Sequence, residues 1–169
     1  MLLEGKAHKF GDDINTDYII AGKYKFKTLD MKELSKHLME DLDPDFTNKI
    51  SPGDFIVAGR NFGCGSSREQ APLVIKHAGI GAVIAKSFAR IFYRNAINTG
   101  LPVVECDTSG IDPGDQLRVD LGSGVIRNVT KGLEIPIRPL PQTMLEVLSE
   151  GGLVSYFRKH GGFGNAGLP

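Results

Sequence analysis

Cysteine is scarce in this chain, net charge is absent, and no apolar run is long. Only Cys64 and Cys106 occur in 169 residues. Two cysteines are too few for a disulfide framework, so both are expected to be free thiols. They also fall short of the set that normally holds an iron–sulfur cubane. The 20 basic residues balance the 20 acidic ones, for a formal net charge of zero. Without a whole-molecule field, nucleic acid and anionic membranes are poor partners, and any anion binding has to be local. The longest apolar run, AGIGAVIA over 78–85, is far below a membrane span and reads as a buried strand with its approach. The first residues, MLLEGKAHKFGDD, place Glu4 and Lys6 where a secretory signal needs apolar side chains, so a cytoplasmic protein is expected.

What is present is an α/β pattern. Residues 2–10 and 18–22 read as short strands around the polar loop GDDINTD. Asp30 reads as an N-cap for DMKELSKHLMEDL, where Met31, Leu34, Leu38 and Leu42 recur at helical spacing. Two Pro-Gly-Asp turns, SPGDFIVAG and DPGDQLRVDL, each precede an apolar run and mark strand starts. Between them run FIVAG, a glycine-rich loop, the helix APLVIKHAG, the strand AVIA, the helix SFARIFYRNAINTG and the strand LPVVEC. Ser87 can cap the second of these helices and Gly100 can end it. From Gln116 to Ile137 the pattern alternates, as in short antiparallel strands. Helical periodicity over 141–158 is interrupted at Gly151 and Gly152. One domain over 1–160 and a flexible tail over 161–169 are the expected organisation.

The glycine-rich loop Asn61-Phe-Gly-Cys-Gly-Ser-Ser-Arg-Glu69 is where chemistry concentrates. Its plainest reading is structural: Gly63 and Gly65 supply backbone freedom, and Ser66 with Glu69 forms a capping box. Pro72 argues for a later helix start. Proline is tolerated in the first turn, which moves the start to Glu69 or Gln70 and leaves Ser66, Ser67 and Arg68 in the loop just ahead. Backbone N–H groups, the helix dipole and a bidentate Arg68 there suit a carboxylate or phosphate. A nucleophilic Cys64 would need a base that no histidine spacing supplies. A P-loop is a weak match, because the lysine that follows its glycines is missing and the spacing is wrong.

With these residues in view, NFGCGSSREQAP followed by AVIAKSFARIFYRNAINTGLP resembles the small subunits of 3-isopropylmalate dehydratases, equivalent to the swivelling domain of aconitases. The likeness extends from GDDINTDYIIAGKY to the EGGL segment near residue 150. It implies an aconitase-type swivelling β/β/α fold, with a mixed central sheet, helices and a β-rich flank. It also implies a two-chain hydro-lyase: a large subunit carries the [4Fe–4S] cluster, and this chain binds no cofactor or metal of its own. The substrate is a small hydroxy-dicarboxylate. By resemblance, Ser66 is the base, Ser67 and Arg68 hold substrate, Gly63 and Gly65 support the oxyanion, and Asp17 orients catalytic groups. An Asx turn is the plainer reading of Asp17. Lys27, in the substrate-selecting loop Lys23-Tyr24-Lys25-Phe26-Lys27-Thr28, stands where aconitase uses an arginine. Loop 23–30 is expected to be mobile without the partner. Lys86, Arg90 and Arg94 are expected in packing and partner contact, and the isolated chain is open to homo-oligomer formation. Related activities (homoaconitase, 2,3-dimethylmalate dehydratase, citramalate isomerase) and a non-catalytic anion-binding module are the alternatives.

Overall fold

The computed structural model describes residues 1–25 and 30–162. A seven-stranded mixed sheet, in the order β4-β3-β2-β1-β5-β6-β7, organises the chain. β1 (Leu2–Lys9), β2 (Phe55–Ala58), β3 (Ala82–Ala85) and β4 (Val103–Glu105) are parallel, with Ala7 opposite Phe55, Ile56 opposite Val83 and Val83 opposite Val103. β5 (Gln116–Asp120), β6 (Val125–Asn128) and β7 (Leu133–Pro136) extend it antiparallel from the first half of β1. The sequence explains the division. FIVA and AVIA are apolar throughout and buried at every position, as strands covered on both faces must be. QLRVD alternates, burying Leu117 and Val119 and exposing Gln116 and Arg118.

The handover between the two halves lies within β1, at Lys6 and Ala7, and both Pro-Gly-Asp turns meet there. Asp54 accepts from the Lys6 N–H at 3.0 Å, while at the other turn Gly114 donates to the Ala7 carbonyl and Ala7 donates to that of Asp115. Gly5 passes so close to the first turn that a Cβ would lie 2.3 Å from the Gly53 carbonyl oxygen.

Helices cover the parallel half. α5 (Gln70–His77) packs on α3 (Met31–Ser35) and on α6 (Arg90–Thr99), and α6 in turn meets α7 (Gln142–Ser149) and α8 (Leu153–His160). Gly100 ends α6 in the left-handed conformation, as expected. α5 starts at Gln70, the later start that Pro72 required, and no capping box forms at its end.

Three expectations are corrected. Residues 18–22 are not a strand. Asn15 caps the short α1 (Thr16–Ile19) by accepting from the Tyr18 N–H, and α2 (Gly22–Lys25) follows. The helix capped by Asp30 stops at Ser35 and does not run to Leu42; Met39 has φ +57° and donates its N–H to the Ile19 carbonyl, so a tertiary bond replaces the next helical turn. Leu42 is exposed. Ser87 does not cap α6, whose N-cap is Ala89; its hydroxyl accepts from the Asn61 N–H at 2.8 Å. Part of loop 23–30, including Lys27, and residues 163–169 of the tail lie outside the described residues. The short α4 (Phe46–Lys49) buries Phe46, whose ring meets those of His8 and Phe10 edge to face.

Candidate active site

The site forms beyond the carboxyl ends of the parallel strands, where an open α/β sheet offers a crevice. Three loops converge: 10–15 after β1, 59–69 after β2 and 86–89 after β3. Backbone bonds stitch them. Gly63 donates to the Ile14 carbonyl, Thr16 donates to that of Cys64, Phe62 donates to Ser87, and Ala89 donates to Phe62. Asn61, at φ +60°, reaches the Asp13 carboxylate through its amide at 3.0 Å.

Gly63 is where the sequence had no alternative. Its φ is +81°, and a Cβ there would lie 2.2 Å from the Phe92 ring. That contact lets α6 press against the loop, with Phe62, Phe88 and Phe92 packed ring to ring behind it. The second glycine, Gly65, also has positive φ and turns the chain toward Ser66.

Ser66 and Ser67 are exposed at the end of this turn, ahead of α5. The Ser66 carbonyl accepts from the Thr16 hydroxyl at 2.9 Å, which fixes the backbone and leaves the Ser66 hydroxyl without a protein partner among the described residues. Arg68 is the anchored group. Its guanidinium lies 2.6 Å from the Asp17 carboxylate, donates to the Ile20 carbonyl at 3.4 Å and sits beside Gly22. Arg68 is 15% exposed and Asp17 61% exposed, so the ion pair has a buried cationic end and a wet anionic one.

A cleft of about 320 Å³ opens over these groups, lined by Ser66, Ser67 and Arg68 on one side and by Arg90, Ile91 and Asn95 of α6 on the other. The structure thus brings together Asp17, Gly63, Gly65, Ser66, Ser67 and Arg68. Sequence reasoning missed Thr16 and the α6 wall. Thr16 adjoins Asp17, and Arg90 follows directly on the third converging loop, the signal that could have placed them.

Cys64 lies in the same glycine-rich loop, with its thiol half-buried. Burial and the nearby Asp13 carboxylate push its thiol up from its ordinary range, away from the thiolate that attack requires. Cys106 is pushed up to about 12, by burial and then by Asp107. Both are free thiols. No group of three or more His, Cys, Asp or Glu side chains suited to a metal ion occurs among the described residues. No helix among them is long and apolar enough to cross a membrane.

Fold and site together define a swivelling domain of the aconitase type, and the profile of the aconitase C-terminal domain matches residues 10–108. The 3-isopropylmalate dehydratase small subunit 2 of Archaeoglobus fulgidus is 64% identical over 161 residues, covering 95% of this chain and 98% of that protein. The methanogen homoaconitase small subunit of Methanothermobacter thermautotrophicus is 52% identical, covering 94% and 92%. The crystal structure of a 3-isopropylmalate dehydratase from Methanocaldococcus jannaschii superposes with a TM-score of 0.91 at 50% identity, covering 95% and 96%. The chain belongs to the family of 3-isopropylmalate dehydratase small subunits, within the aconitase superfamily.

Proposed function

We propose that this chain is the small subunit of a hydro-lyase that interconverts 2-isopropylmalate and 3-isopropylmalate, in leucine biosynthesis, by removing water and adding it back at the neighbouring carbon. The observation that carries the reading is the exposed Ser66 hydroxyl at the mouth of a cleft shared with Ser67 and the anchored Arg68.

Elimination requires a base at a carbon next to a carboxylate. Ser66, as an alkoxide, takes that proton into its own O–H bond while the C–H electron pair forms the alkene and the hydroxyl leaves the adjacent carbon with its bonding pair; the hydroxide takes a proton from solvent to become water, and Ser66 returns its proton to solvent. Readdition reverses the two steps with the positions exchanged. A serine hydroxyl is too weak an acid to ionise alone. The glycine loop lines the cleft beside it, with Arg68 as the cation that favours the oxyanion. Arg68 also grips a substrate carboxylate through its planar fork. Asp17 acts through Arg68, pairing with the guanidinium that also bonds the Ile20 carbonyl and lines the cleft. Ser67 donates to the same carboxylate.

Departure of the hydroxyl calls for a Lewis acid, the contribution of a [4Fe–4S] cluster. Two buried-shifted thiols on this chain do not fit such a cluster, and we assign it to a large subunit that closes the cleft from outside. By resemblance, Lys27, which lies outside the described residues, is assigned to the substituent that distinguishes one hydroxy acid from another. The likeness to a homoaconitase small subunit, at 52% identity, makes that substituent the point to test. The complex with the large subunit, reconstituted without oxygen, is assayed against 2-isopropylmalate, citramalate, 2,3-dimethylmalate, homocitrate and citrate. Isopropylmalate is expected to turn over fastest, and Lys27→Ala to raise KM or change the ranking. Homocitrate turnover without isopropylmalate turnover would reassign the substrate, and a complex inert toward all five would leave an anion-binding module.

A further inference from the structure

The cleft is not the end of the open surface on this side of the molecule. Arg90 lines it and also lines a second, larger cavity of about 540 Å³, walled by Phe88, Tyr93, Pro139, Pro141 and Met144 and rimmed by Glu105 and Arg138. Ile91, between cleft and solvent, is 51% exposed. Arg90 and Arg94, one helical turn apart, make no ion pair or side-chain hydrogen bond among the described residues, and the first turn of α6 has no acidic residue. Ser66, Ser67 and Arg68 line the cleft and none of them lines the second cavity.

We propose that the outer face of α6, with the cavity beside it, is the seat of the large subunit, which inserts an apolar side chain between Phe88, Tyr93 and Met144 and sets carboxylates against Arg90 and Arg94. The inference rests on the two-chain reading above. A chain that supplies chemistry at Ser66 has to cover the rim of the cleft, and Arg90 and Ile91 are that rim. From there the uncovered surface continues without a break into the cavity through Arg90 itself. An apolar pocket with a charged margin is the anatomy of an interface centre, where one buried anchor dominates affinity and surrounding charges set orientation. The exposed apolar pair Val154 and Phe157 on α8 lines neither the cleft nor this cavity, so it is assigned no part.

The test titrates purified large subunit, from the same genome and with its cluster intact, into three versions of this chain. Arg90→Glu reverses the charge at the junction, and Met144→Trp fills the cavity. Each is expected to weaken association at least about tenfold, with circular dichroism and thermal midpoint controlling for folding. Val154→Glu on α8 is expected to bind as wild type. Undiminished affinity in Arg90→Glu and Met144→Trp would overturn the proposal. So would a raised KM in Arg90→Glu with unchanged association, which would make Arg90 a substrate ligand instead. A wild-type complex that forms, is weakened by both variants and turns over no hydroxy acid would support the docking face while removing the activity assignment. Failure of the wild-type subunits to associate would remove both.

Discussion

The seam at Lys6–Ala7 and the cleft at Ser66–Arg68 are both built on glycine turns, and they use them in opposite ways. At the seam, glycine turns deliver aspartates that are consumed by their surroundings. Asp54, 4% exposed, accepts from the Ser51 and Lys6 N–H groups and from His8; Asp115, 5% exposed, accepts from the Asp112 N–H and the Asn128 amide. In the cleft, glycine turns deliver hydroxyls that the described residues leave open, and the one aspartate in the constellation keeps its anionic end in water. Closure gives stability, and incompleteness leaves room for a ligand.

The contrast can be broken by substitution, beginning with the position where both demands fall on one residue. Gly63→Ala combines positive φ with a collision against Phe92, so it should cost about 3 kcal/mol or more of stability, read by chemical denaturation. A wild-type midpoint would mean that loop and helix are free to separate.

Asp54→Ala comes next, at about 2–3 kcal/mol, because it strands backbone donors and His8 in a buried seam. Burial alone would raise the Asp54 carboxyl, but its bond to His8 and those from Ser51 and Lys6 outweigh this and hold it below the ordinary range. The folded state therefore binds this proton less tightly than the unfolded chain. The stabilisation is fully present above about pH 4, the unfolded carboxylate value, and is lost as pH falls through the lower folded value. Stability measured from pH 7 downward should fall less steeply in Asp54→Asn than in wild type, and parallel curves would refute the assignment.

The two turns of the seam were legible early, since Pro-Gly-Asp before an apolar run announces a turn and the strand after it, but their meeting at Lys6 and Ala7 was not. Pro72 likewise located the start of α5. What stayed hidden depended on partners distant in the chain. Met39 stops a helix because Ile19 takes its N–H, and Ser87 is drawn off by Asn61; the strand expected at 18–22, by contrast, is displaced by a local cap, Asn15 accepting from the Tyr18 N–H. Asn15 was readable as a cap from sequence; the other two were not. In the cleft, the resemblance put Arg68 and Asp17 in one site. Their direct pairing, across 51 positions of sequence, and the wall of α6 emerge only when β1, β2 and β3 place their loops side by side.

Arg68→Lys keeps the charge and loses the fork that meets both Asp17 and a substrate carboxylate. KM of the assembled enzyme should rise about tenfold, near 1.4 kcal/mol, with little change in thermal midpoint. A fall in stability with unchanged KM would move Arg68 to the seam's class of residue. The smallest effect belongs to Cys64→Ala. Turnover should stay within about twofold of wild type, as for any loop residue without a chemical role, and a large loss would restore the thiol as a participant.

The most direct measurement compares Ser66→Ala with wild type in the reconstituted complex, following turnover of 2-isopropylmalate together with subunit affinity and thermal midpoint. Loss of turnover by about a thousandfold or more, with affinity and midpoint unchanged, is the expected result for a base in an otherwise open cleft. Turnover near the wild-type rate would contradict it and remove Ser66 from the chemistry.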